Sequence, residues 1–345
     1  MNPARASILM LLASLLAAAQ SSPGVAESLL EIGKVIDRSL AGVKTHSYRI
    51  ETREANLYCS LLVDQRGIDV VLAVFNSDGK KLAEVDNFNG ASTPERLNLV
   101  LDRAASYRVE VRSFGKNASG QYGIRLAALR PVANADLTRI AAERAFDAAE
   151  LLRTSPLLQS RRNATAKYQE ALKGFATIKD PEAEADSFTS LGRNLADLSE
   201  AQPALDAFLQ ALDRKRSLGD RKAEALLLQN IGAAYFNLTE LSKALDYNQQ
   251  SLAMYRSLGN RAGEGTALHW LGIIYAALDD NEKALDYDIQ SLAAYQDIKD
   301  VVAQIATLTN IGALYEKLNE YTKALSYLNK SMELSTSAKY QRGQD

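Results

Sequence analysis

The feature that most constrains this chain is a repeat of 40 residues in its second half. Four segments align in register, and each has a glycine and an alanine at fixed places. The segments begin at Ser190, Asn230, Trp270 and Asn310, the glycines are Gly192, Gly232, Gly272 and Gly312, and the alanines are Ala204, Ala244, Ala284 and Ala324. A fixed period of this length is typical of a solenoid, in which each unit buries its apolar face only against its neighbours.

Each repeat unit predicts a pair of helices. Leu228, Ile231 and Tyr235 fall on one face at helical spacing, and Leu245 and Leu252 do the same after a break. A glycine inside a helix costs about 1 kcal/mol relative to alanine, so its recurrence indicates close packing of a neighbouring helix. Turn-forming residues separate the paired helices, namely Ser199, Thr239, Asp279 and Asn319.

The region before the repeats has the period-two alternation that predicts β-strands. In "SYRVEVRSF", from Ser106 to Phe114, apolar and charged side chains alternate, and about seven such segments occur within about 100 residues. The pair Asp78-Gly79 between two apolar runs is a hairpin signal. This pattern predicts an antiparallel β-sandwich.

Together these patterns predict a multidomain β + α fold, an antiparallel β-sandwich followed by an all-α superhelical solenoid of helix pairs. The predicted segments are a signal peptide at 1–26, the sandwich at 27–130, a linker at 131–137 and the repeats at 138–345. The repeat units are 138–178, 179–218, 219–258, 259–298 and 299–338, followed by the truncated start of another.

The repeat units resemble tetratricopeptide repeats. The resemblance is carried by "LG" or "IG", a tyrosine three residues after that glycine, and "KAL" followed two residues later by tyrosine in the second helix. The first of the four units departs from this pattern, with Leu195 in place of the tyrosine. The resemblance covers roughly residues 138–345, and it implies a concave groove that binds an extended or helical peptide.

The first region looks like the bacterial pre-peptidase C-terminal type of β-sandwich, on the segments "GVKTHSYRIE", "VDQRGIDVVLAVFNSDGKKLAEVDNFNG" and "ASYRVEVRS". The order of signal, sandwich and 40-residue repeats resembles the amino-terminal half of bacterial proteins that end in a CHAT domain, a caspase-like cysteine peptidase. No caspase-type histidine and cysteine motif is present, so the resemblance brings no catalytic residue into this sequence.

The residues themselves also predict no enzyme. Cys59 is the only cysteine, His46 and His269 are the only histidines, and Cys59 stands on the inward face of an alternating segment. The sequence has no phosphate-binding glycine loop, HExxH motif or nucleophile elbow. We therefore expect no catalytic residue and no cofactor.

Two turn segments gather oxygen-bearing side chains of the kind that calcium binds, at Asp78, Asp86, Asn87 and Asn89. These residue types are turn formers first, and no ligand motif with the spacing of a calcium loop accompanies them. The sequence therefore predicts no metal.

The first 26 residues predict a secretory signal peptide, because Arg5 precedes an apolar run from Ile8 to Ala19 and small residues follow. The apolar run is shorter than the roughly 20 residues of a comfortable membrane span, and an uncleaved anchor is the alternative. The expected location is therefore periplasmic or secreted. A net charge of −2 gives no electrostatic case for binding nucleic acid or an anionic membrane.

We expect the repeat array to bind a protein or peptide partner in its groove. His269 lies beside Trp270, the only tryptophan, and exposed aromatic side chains are frequent binding hot spots. Asn230 and Asn310 resemble the residue with which tetratricopeptide families hold a peptide backbone, a task suited to an amide that both donates and accepts. The alternative for Trp270 is packing between helices. The predicted groove residues are Arg193, Gln229, Asn230, Phe236, Asn237, His269, Trp270, Thr309, Asn310 and Lys317.

Two other functions stay open. In the first alternative, the chain is the regulatory half of a CHAT-type peptidase whose catalytic domain is absent from it. In the second, the sandwich is a glycan- or surface-binding module.

The end of the sequence carries a further expectation. "KYQRGQD", from Lys339, aligns with "GNRAGEG", from Gly259, which predicts a turn and the start of another first helix. Leu325, Leu328 and Met332 would then lack a covering helix. The alternatives are another cover for this face, self-association included, or a natural chain that continues past Asp345.

Overall fold

The computed structural model describes residues 28–86, 94–115 and 118–342, with side chains up to residue 338. Backbone contacts divide the chain into two compact units, one ending at Val132 and the other beginning at Ala133. Within the described residues the first unit contains strands and the second contains α-helices. The predicted fold class, a β-sandwich followed by a solenoid of helix pairs, is confirmed. The predicted signal peptide lies outside the described residues.

The first unit has nine strands in two sheets, counted over the described residues. The strands are β1 Ser28–Leu29, β2 Val35–Ala41, β3 Thr45–Glu51, β4 Leu57–Arg66, β5 Val70–Phe75, β6 Lys81–Val85, β7 Glu95–Leu101, β8 Ser106–Ser113 and β9 Ser119–Pro131. One sheet has the order β1-β3-β8-β5-β6 and the other β2-β9-β4-β7. The sequence pattern missed β1 and β2, because β1 spans two residues and β2 is mostly exposed and lacks alternation.

The core of the first unit contains residues from both sheets. Tyr107, Val109 and Val111 on β8 are buried in it, as the alternation predicts. Cys59 is also fully buried there. The predicted hairpin joins β5 to β6, and Gly79 in its turn has φ +78°, a conformation that glycine adopts without strain.

The second unit contains ten helices within the described residues. They are α1 Asn134–Arg153, α2 Leu158–Thr177, α3 Pro181–Asp197, α4 Ala201–Ser217, α5 Arg221–Asn237, α6 Leu241–Ser257, α7 Arg261–Ala277, α8 Asn281–Asp297, α9 Val301–Lys317 and α10 Tyr321–Arg342. From α3 onward, first and second helices each begin at intervals of 40 residues. No described helix has both the length and the apolar character required to cross a bilayer.

The turns follow the predicted chemistry. Ser199, Thr239, Asp279 and Asn319, between paired helices, all have φ between 61° and 63°, the left-handed conformation that reverses the chain after a helix. At the start of α3, the Asp180 side chain accepts a hydrogen bond from the Ala183 N–H, and Pro181 is the first helical residue.

The recurrent glycines lie against the second helix of their own unit. A methyl group built on Gly192 would lie 2.5 Å from the Phe208 ring, and one on Gly232 would lie 2.2 Å from Asn248 Nδ2. Corresponding contacts join Gly272 to Asp288 and Gly312 to Leu328. The residue opposite the glycine changes from unit to unit while the close contact stays, so the predicted packing role is confirmed.

The last three units share an aromatic stack between their two helices. The pairs are Tyr235–Tyr247, Tyr275–Tyr287 and Tyr315–Tyr327, with ring centroids 5.3, 5.3 and 5.4 Å apart. A lysine lies over the first tyrosine of each pair, and each lysine pairs with the acidic residue three positions before it. These lysines are Lys243, Lys283 and Lys323. These three units therefore repeat their contacts as well as their backbone.

Replacing Asp300 with alanine is expected to lower the free energy of unfolding by about 1 kcal/mol. The Asp300 carboxylate accepts a hydrogen bond from the Ala303 N–H at 3.0 Å and so caps α9. Urea unfolding followed by circular dichroism measures the loss. Glu200→Ala is the control, because Glu200 precedes α4 without a side-chain capping bond. An equal loss in both variants would argue against capping as the cause.

The turn predicted near Lys339 is wrong. Helix α10 runs without a break from Tyr321 to Arg342, over 22 residues, whereas α8 has 17. At the aligned positions, each earlier unit has a residue in the left-handed conformation, followed by an Asp or Asn that caps the next helix. The aligned residues are Lys339 and Tyr340, and tyrosine has no side-chain acceptor placed to cap a helix. The last three residues lie outside the described part of the chain.

Candidate functional site

The predicted groove residues all lie on first helices of the units. Arg193 is on α3, Gln229, Asn230, Phe236 and Asn237 are on α5, His269 and Trp270 are on α7, and Thr309, Asn310 and Lys317 are on α9. Because these helices occupy equivalent places in successive pairs, residues 40 apart fall on one face of the array. Glu150, Ser190, Asn230, Trp270 and Asn310 share one such position.

A cavity of about 160 Å³ lies among α1, α3, α4 and α5. Three predicted residues, Arg193, Asn230 and Asn237, line it. Arg153 and Asp197 add charged groups, while the remaining lining is apolar and consists of Ala196, Ala201, Ala204, Phe208, Ala233 and Ala234. The cavity is thus a small apolar recess with polar groups around it. Gln229, Thr309, Asn310 and Lys317 lie outside its lining.

Sequence reasoning missed Arg153. Its guanidinium donates to Glu150 Oε2 at 3.0 and 3.2 Å, and the Tyr168 hydroxyl donates to Glu150 Oε1 at 2.7 Å. Burial raises the pKa of the Glu150 carboxyl, but hydrogen bonds from Ser190 and Tyr168 and the charge of Arg153 outweigh burial, so its pKa lies below the usual value. Glu150 is therefore ionised at neutral pH and holds Arg153 in place.

The 40-residue repeat could have identified Arg153 as a residue of this site. This residue stands 40 positions before Arg193, and both line the cavity. The first unit, however, has Leu152 where later units have the recurrent glycine, so its alignment is concealed.

Two donors in the cavity have no partner within the described part of the chain. Arg193 is exposed, and its guanidinium makes no hydrogen bond or ion pair with any described residue. The Asn230 Nδ2 group is buried and has no hydrogen-bond partner among the described residues. An unpaired buried donor is unfavourable, so the cavity favours a ligand that supplies acceptors.

Beside the cavity, Phe236 and Trp270 form an aromatic pair between α5 and α7. Their ring centroids are 6.0 Å apart and the planes meet at 67°, an edge-to-face arrangement. Both side chains are partly buried. Trp270 therefore packs against a neighbouring helix and still presents part of its ring to solvent.

His269 is held by a buried carboxylate. His269 Nδ1 lies 2.8 Å from Asp288 Oδ1, and Asp288 is only 1% exposed. Burial raises the pKa of Asp288, and the hydrogen bond and charge of His269 oppose that rise. In the preceding unit, Gln229 and Asn248 stand at the same two positions. Of the two partners, only His269 was predicted, because Asp288 lies on the second helix.

Helix α9, the first helix of the last unit, differs from α5 and α7 in its side-chain contacts. The Thr309 hydroxyl shares a hydrogen bond of 2.9 Å with the Ser331 hydroxyl and also donates to the Ile305 carbonyl at 2.9 Å. Thr309 is therefore tied to its own unit. Lys317 is exposed and Asn310 partly buried.

In the first unit, Asp69, Asp86 and Glu95 each place a carboxylate oxygen within 4.8 Å of the others. Burial raises the pKa of both aspartates, and Glu95 accepts a hydrogen bond from Gln65 at 3.1 Å. Of the turn residues considered for calcium, Asn87 and Asn89 lie outside the described residues. Three carboxylates alone do not define a metal site, and we assign none.

Comparisons with known proteins agree with this architecture. A family model for the tetratricopeptide repeat matches residues 263–337. No curated protein matches the sequence. Among solved structures, aspartyl phosphate phosphatase F from Bacillus subtilis is 16% identical with a TM-score of 0.55, and the match covers 59% of this chain and 53% of that one.

Two further structures are similar. The apo form of RapI is 15% identical, with a TM-score of 0.52 and coverage of 60% of this chain and 55% of that one. A signal transduction ATPase with a tetratricopeptide repeat sensor from Pyrococcus horikoshii is 20% identical, with a TM-score of 0.52 and coverage of 61% and 32%. This chain thus spans about half, or less, of each of these proteins. The second unit contains tetratricopeptide repeats.

Proposed function

We propose that this protein is an exported, non-enzymatic interaction scaffold whose tetratricopeptide array binds an extended peptide segment of a protein partner. The cavity among α1, α3, α4 and α5 carries the proposal, because Arg193 and Asn230 offer donors that no described residue occupies. Main-chain carbonyls and carboxylates of a peptide are acceptors that match these donors.

The aromatic pair extends this site along α5. Asn230 and Phe236 are six residues apart, which corresponds to about 9 Å of helix. An extended peptide rises roughly 3.3 Å per residue, and the two side chains also differ by about 120° around α5, so about four residues are needed to pass from the cavity to the rings of Phe236 and Trp270. The site therefore suits a peptide that places an acceptor in the cavity and an apolar side chain against the rings.

The absence of enzymatic activity in this proposal rests on the chemistry of Cys59. Burial raises the pKa of the Cys59 thiol to about 12, so the thiol is protonated at neutral pH and is a poor nucleophile. The chain has no second cysteine. Export rests on the signal-like composition of residues 1–26.

Replacing Arg193 and Asn230 together with alanine is expected to weaken peptide binding by about tenfold or more. Peptides selected on the intact chain would be titrated while the fluorescence of Trp270, the only tryptophan, is recorded. The control is Arg221→Ala, an exposed arginine on α5 outside the cavity lining, which should leave affinity unchanged. Equal affinity of the double variant and the control would count against the cavity as the binding site.

A second candidate function rests on the order of a β-sandwich followed by a tetratricopeptide array. In this candidate the sandwich is of the pre-peptidase C-terminal type, and the chain is the regulatory half of a CHAT-type peptidase. Sequencing the gene beyond the codon for Asp345 tests it. A stop codon with no caspase-like reading frame downstream would remove this candidate.

A further inference from the structure

A hydrogen-bonded network of three side chains, called here the hydroxyl network, joins the two sheets of the first unit. The hydroxyl oxygens of Tyr48 and Tyr122 are 2.6 Å apart, and the Tyr122 hydroxyl lies 2.7 Å from His46 Nδ1. Tyr48 and His46 are on β3, and Tyr122 is on β9, which belongs to the other sheet. Both tyrosines are buried in the core, whereas His46 is partly exposed. The network therefore leads from the core to a ring that solvent can protonate.

The protons of the hydroxyl network fix its direction. Burial raises the pKa of both phenols, so each keeps its proton at neutral pH and has one hydrogen to donate. Within the described part of the chain, the two hydroxyls bond only to members of the network. Both hydrogens find an acceptor only when Tyr48 donates to Tyr122 and Tyr122 donates to His46 Nδ1. The neutral imidazole must therefore carry its own proton on Nε2.

Protonation of His46 reverses this direction. An imidazolium has a proton on both ring nitrogens and accepts no hydrogen bond, so Nδ1 then donates to the Tyr122 oxygen. The Tyr122 hydrogen must turn towards Tyr48, and the Tyr48 hydrogen is left in the core without an acceptor among the described residues. A buried donor without a partner is unfavourable, so the folded sandwich resists this protonation.

The surroundings of His46 act in the same direction. Its pKa is lowered by burial first, and then by the positive charges of Arg38 on β2 and of Lys44 between β2 and β3. The residue opposite His46 on β8 is Val111, which carries no charge. No carboxylate of a described residue pairs with the ring. Nothing near the ring therefore compensates a positive charge on it.

We propose that the hydroxyl network is an acid-sensitive switch, in which uptake of one proton by His46 weakens the contact between the two sheets and makes the sandwich open more often. The folded unit binds this proton less readily than an unfolded histidine, whose pKa is about 6.5. The stability of the unit is therefore full above that pH and falls as the pH drops towards the lower folded pKa. Asp69 and Asp86, whose pKa values burial raises, act in the opposite direction. This inference is independent of the peptide site.

The reactivity of Cys59 in the whole chain tests the switch. This thiol, the only one, is fully buried in the same core, so a disulfide reagent such as dithiodipyridine reaches it only when the sandwich opens. The reagent is kept dilute, so that the sandwich recloses faster than the thiol reacts. Division by the rate of the urea-unfolded chain at the same pH removes the intrinsic pH dependence of the thiol. Between about pH 7.5 and pH 5, this ratio is expected to rise roughly five- to tenfold in the wild type. A ratio that stays constant would overturn the proposal.

Two variants separate the hydroxyl network from its surroundings. In His46→Asn, the side-chain oxygen can accept from Tyr122 but gains no proton, so the rise should disappear. In the double variant Tyr48→Phe with Tyr122→Phe, the shape of the core is kept and no hydroxyl loses its acceptor, so the rise should fall to less than half of the wild-type value. Lys44→Gln is the control, because it removes a nearby charge and leaves the network intact, and it should keep most of the rise.

Circular dichroism checks that each variant folds. A full rise in His46→Asn would assign the pH dependence to another group, and a full rise in the double phenylalanine variant would assign it to burial and charge alone. Either result overturns the proposal.

Nitrogen NMR of the whole chain, with 15N placed only in its two histidines, tests the direction of the network. The His46→Asn variant identifies which signals belong to His46. At a pH of about 8, the His46 ring is expected to hold its proton on Nε2 and none on Nδ1. A proton on Nδ1 at this pH would contradict the hydrogen-bond direction on which the switch depends.

Discussion

Replacing His269 with alanine is expected to lower the free energy of unfolding by about 3 kcal/mol at pH 7. The Asp288 carboxylate is 1% exposed, and His269 at 2.8 Å is its side-chain partner. Without the imidazole, the folded chain would hold an uncompensated charge in its interior, which is among the most destabilising changes a single substitution can make. Urea unfolding followed by circular dichroism measures this loss.

The loss in His269→Ala should depend on pH in a defined direction. Burial raises the pKa of Asp288, so the charged form is the one that destabilises the fold. This destabilisation is absent below the pKa of an unfolded aspartate, about 3.9, and develops as the pH rises through the higher folded value. The difference between His269→Ala and the wild type should therefore shrink as the pH falls from 7 towards about 4.

The preceding unit supplies a matched control for this pair. It carries Gln229 and Asn248 at the positions of His269 and Asp288. The double variant His269→Gln with Asp288→Asn should therefore lose less than about 1 kcal/mol, with little dependence on pH. If the alanine variant and the double variant lose equal stability at every pH, the charge of Asp288 is not the cause.

Replacing Gly192 with alanine is expected to lower the free energy of unfolding by about 2 kcal/mol, although alanine alone favours a helix by about 1 kcal/mol. The added methyl group would lie 2.5 Å from the ring of Phe208, which is 2% exposed and has little room to move. Chemical unfolding is measured for the wild type, Gly192→Ala, Phe208→Leu and the double variant. The difference between the double variant's loss and the sum of the single losses isolates the contact between the two residues. Strictly additive losses would contradict a steric cause.

Much of the array follows from the sequence because each unit repeats the same local chemistry. Thr239 and Asp279 indicate turns because polar residues interrupt the apolar helical pattern there. Gly232 indicates a close contact because glycine is unfavourable inside a helix unless packing requires it. The same reasoning failed for the end of α10. There the 40-residue register continues, but Tyr340 supplies no cap, and local turn chemistry decides whether a helix stops.

The candidate site could be predicted only in part. Helical periodicity placed Arg193, Asn230 and Asn237 on one face, and the structure brings them to one cavity. Periodicity alone could not locate that cavity, because its space comes from small side chains such as Ala233, where α7 has the larger Ile273. The buried partners Glu150 and Asp288 were missed because a charged side chain on a helix is usually exposed, and its burial depends on the packing of neighbouring helices. Peptide recognition by this face remains a prediction.

The repeated tyrosine stacks make α5 to α10 a set of interchangeable modules. Lys283 and Tyr287 on α8 stand where Lys243 and Tyr247 stand on α6. Excision of residues 241–280 would therefore join α5 directly to α8 and restore the stack on Tyr235 with a lysine above it. Duplication of the same segment would add one unit with ready-made contacts on both sides. The number of units is thus free to change by recombination between units, because the contacts that each junction needs are already present in each of these three units.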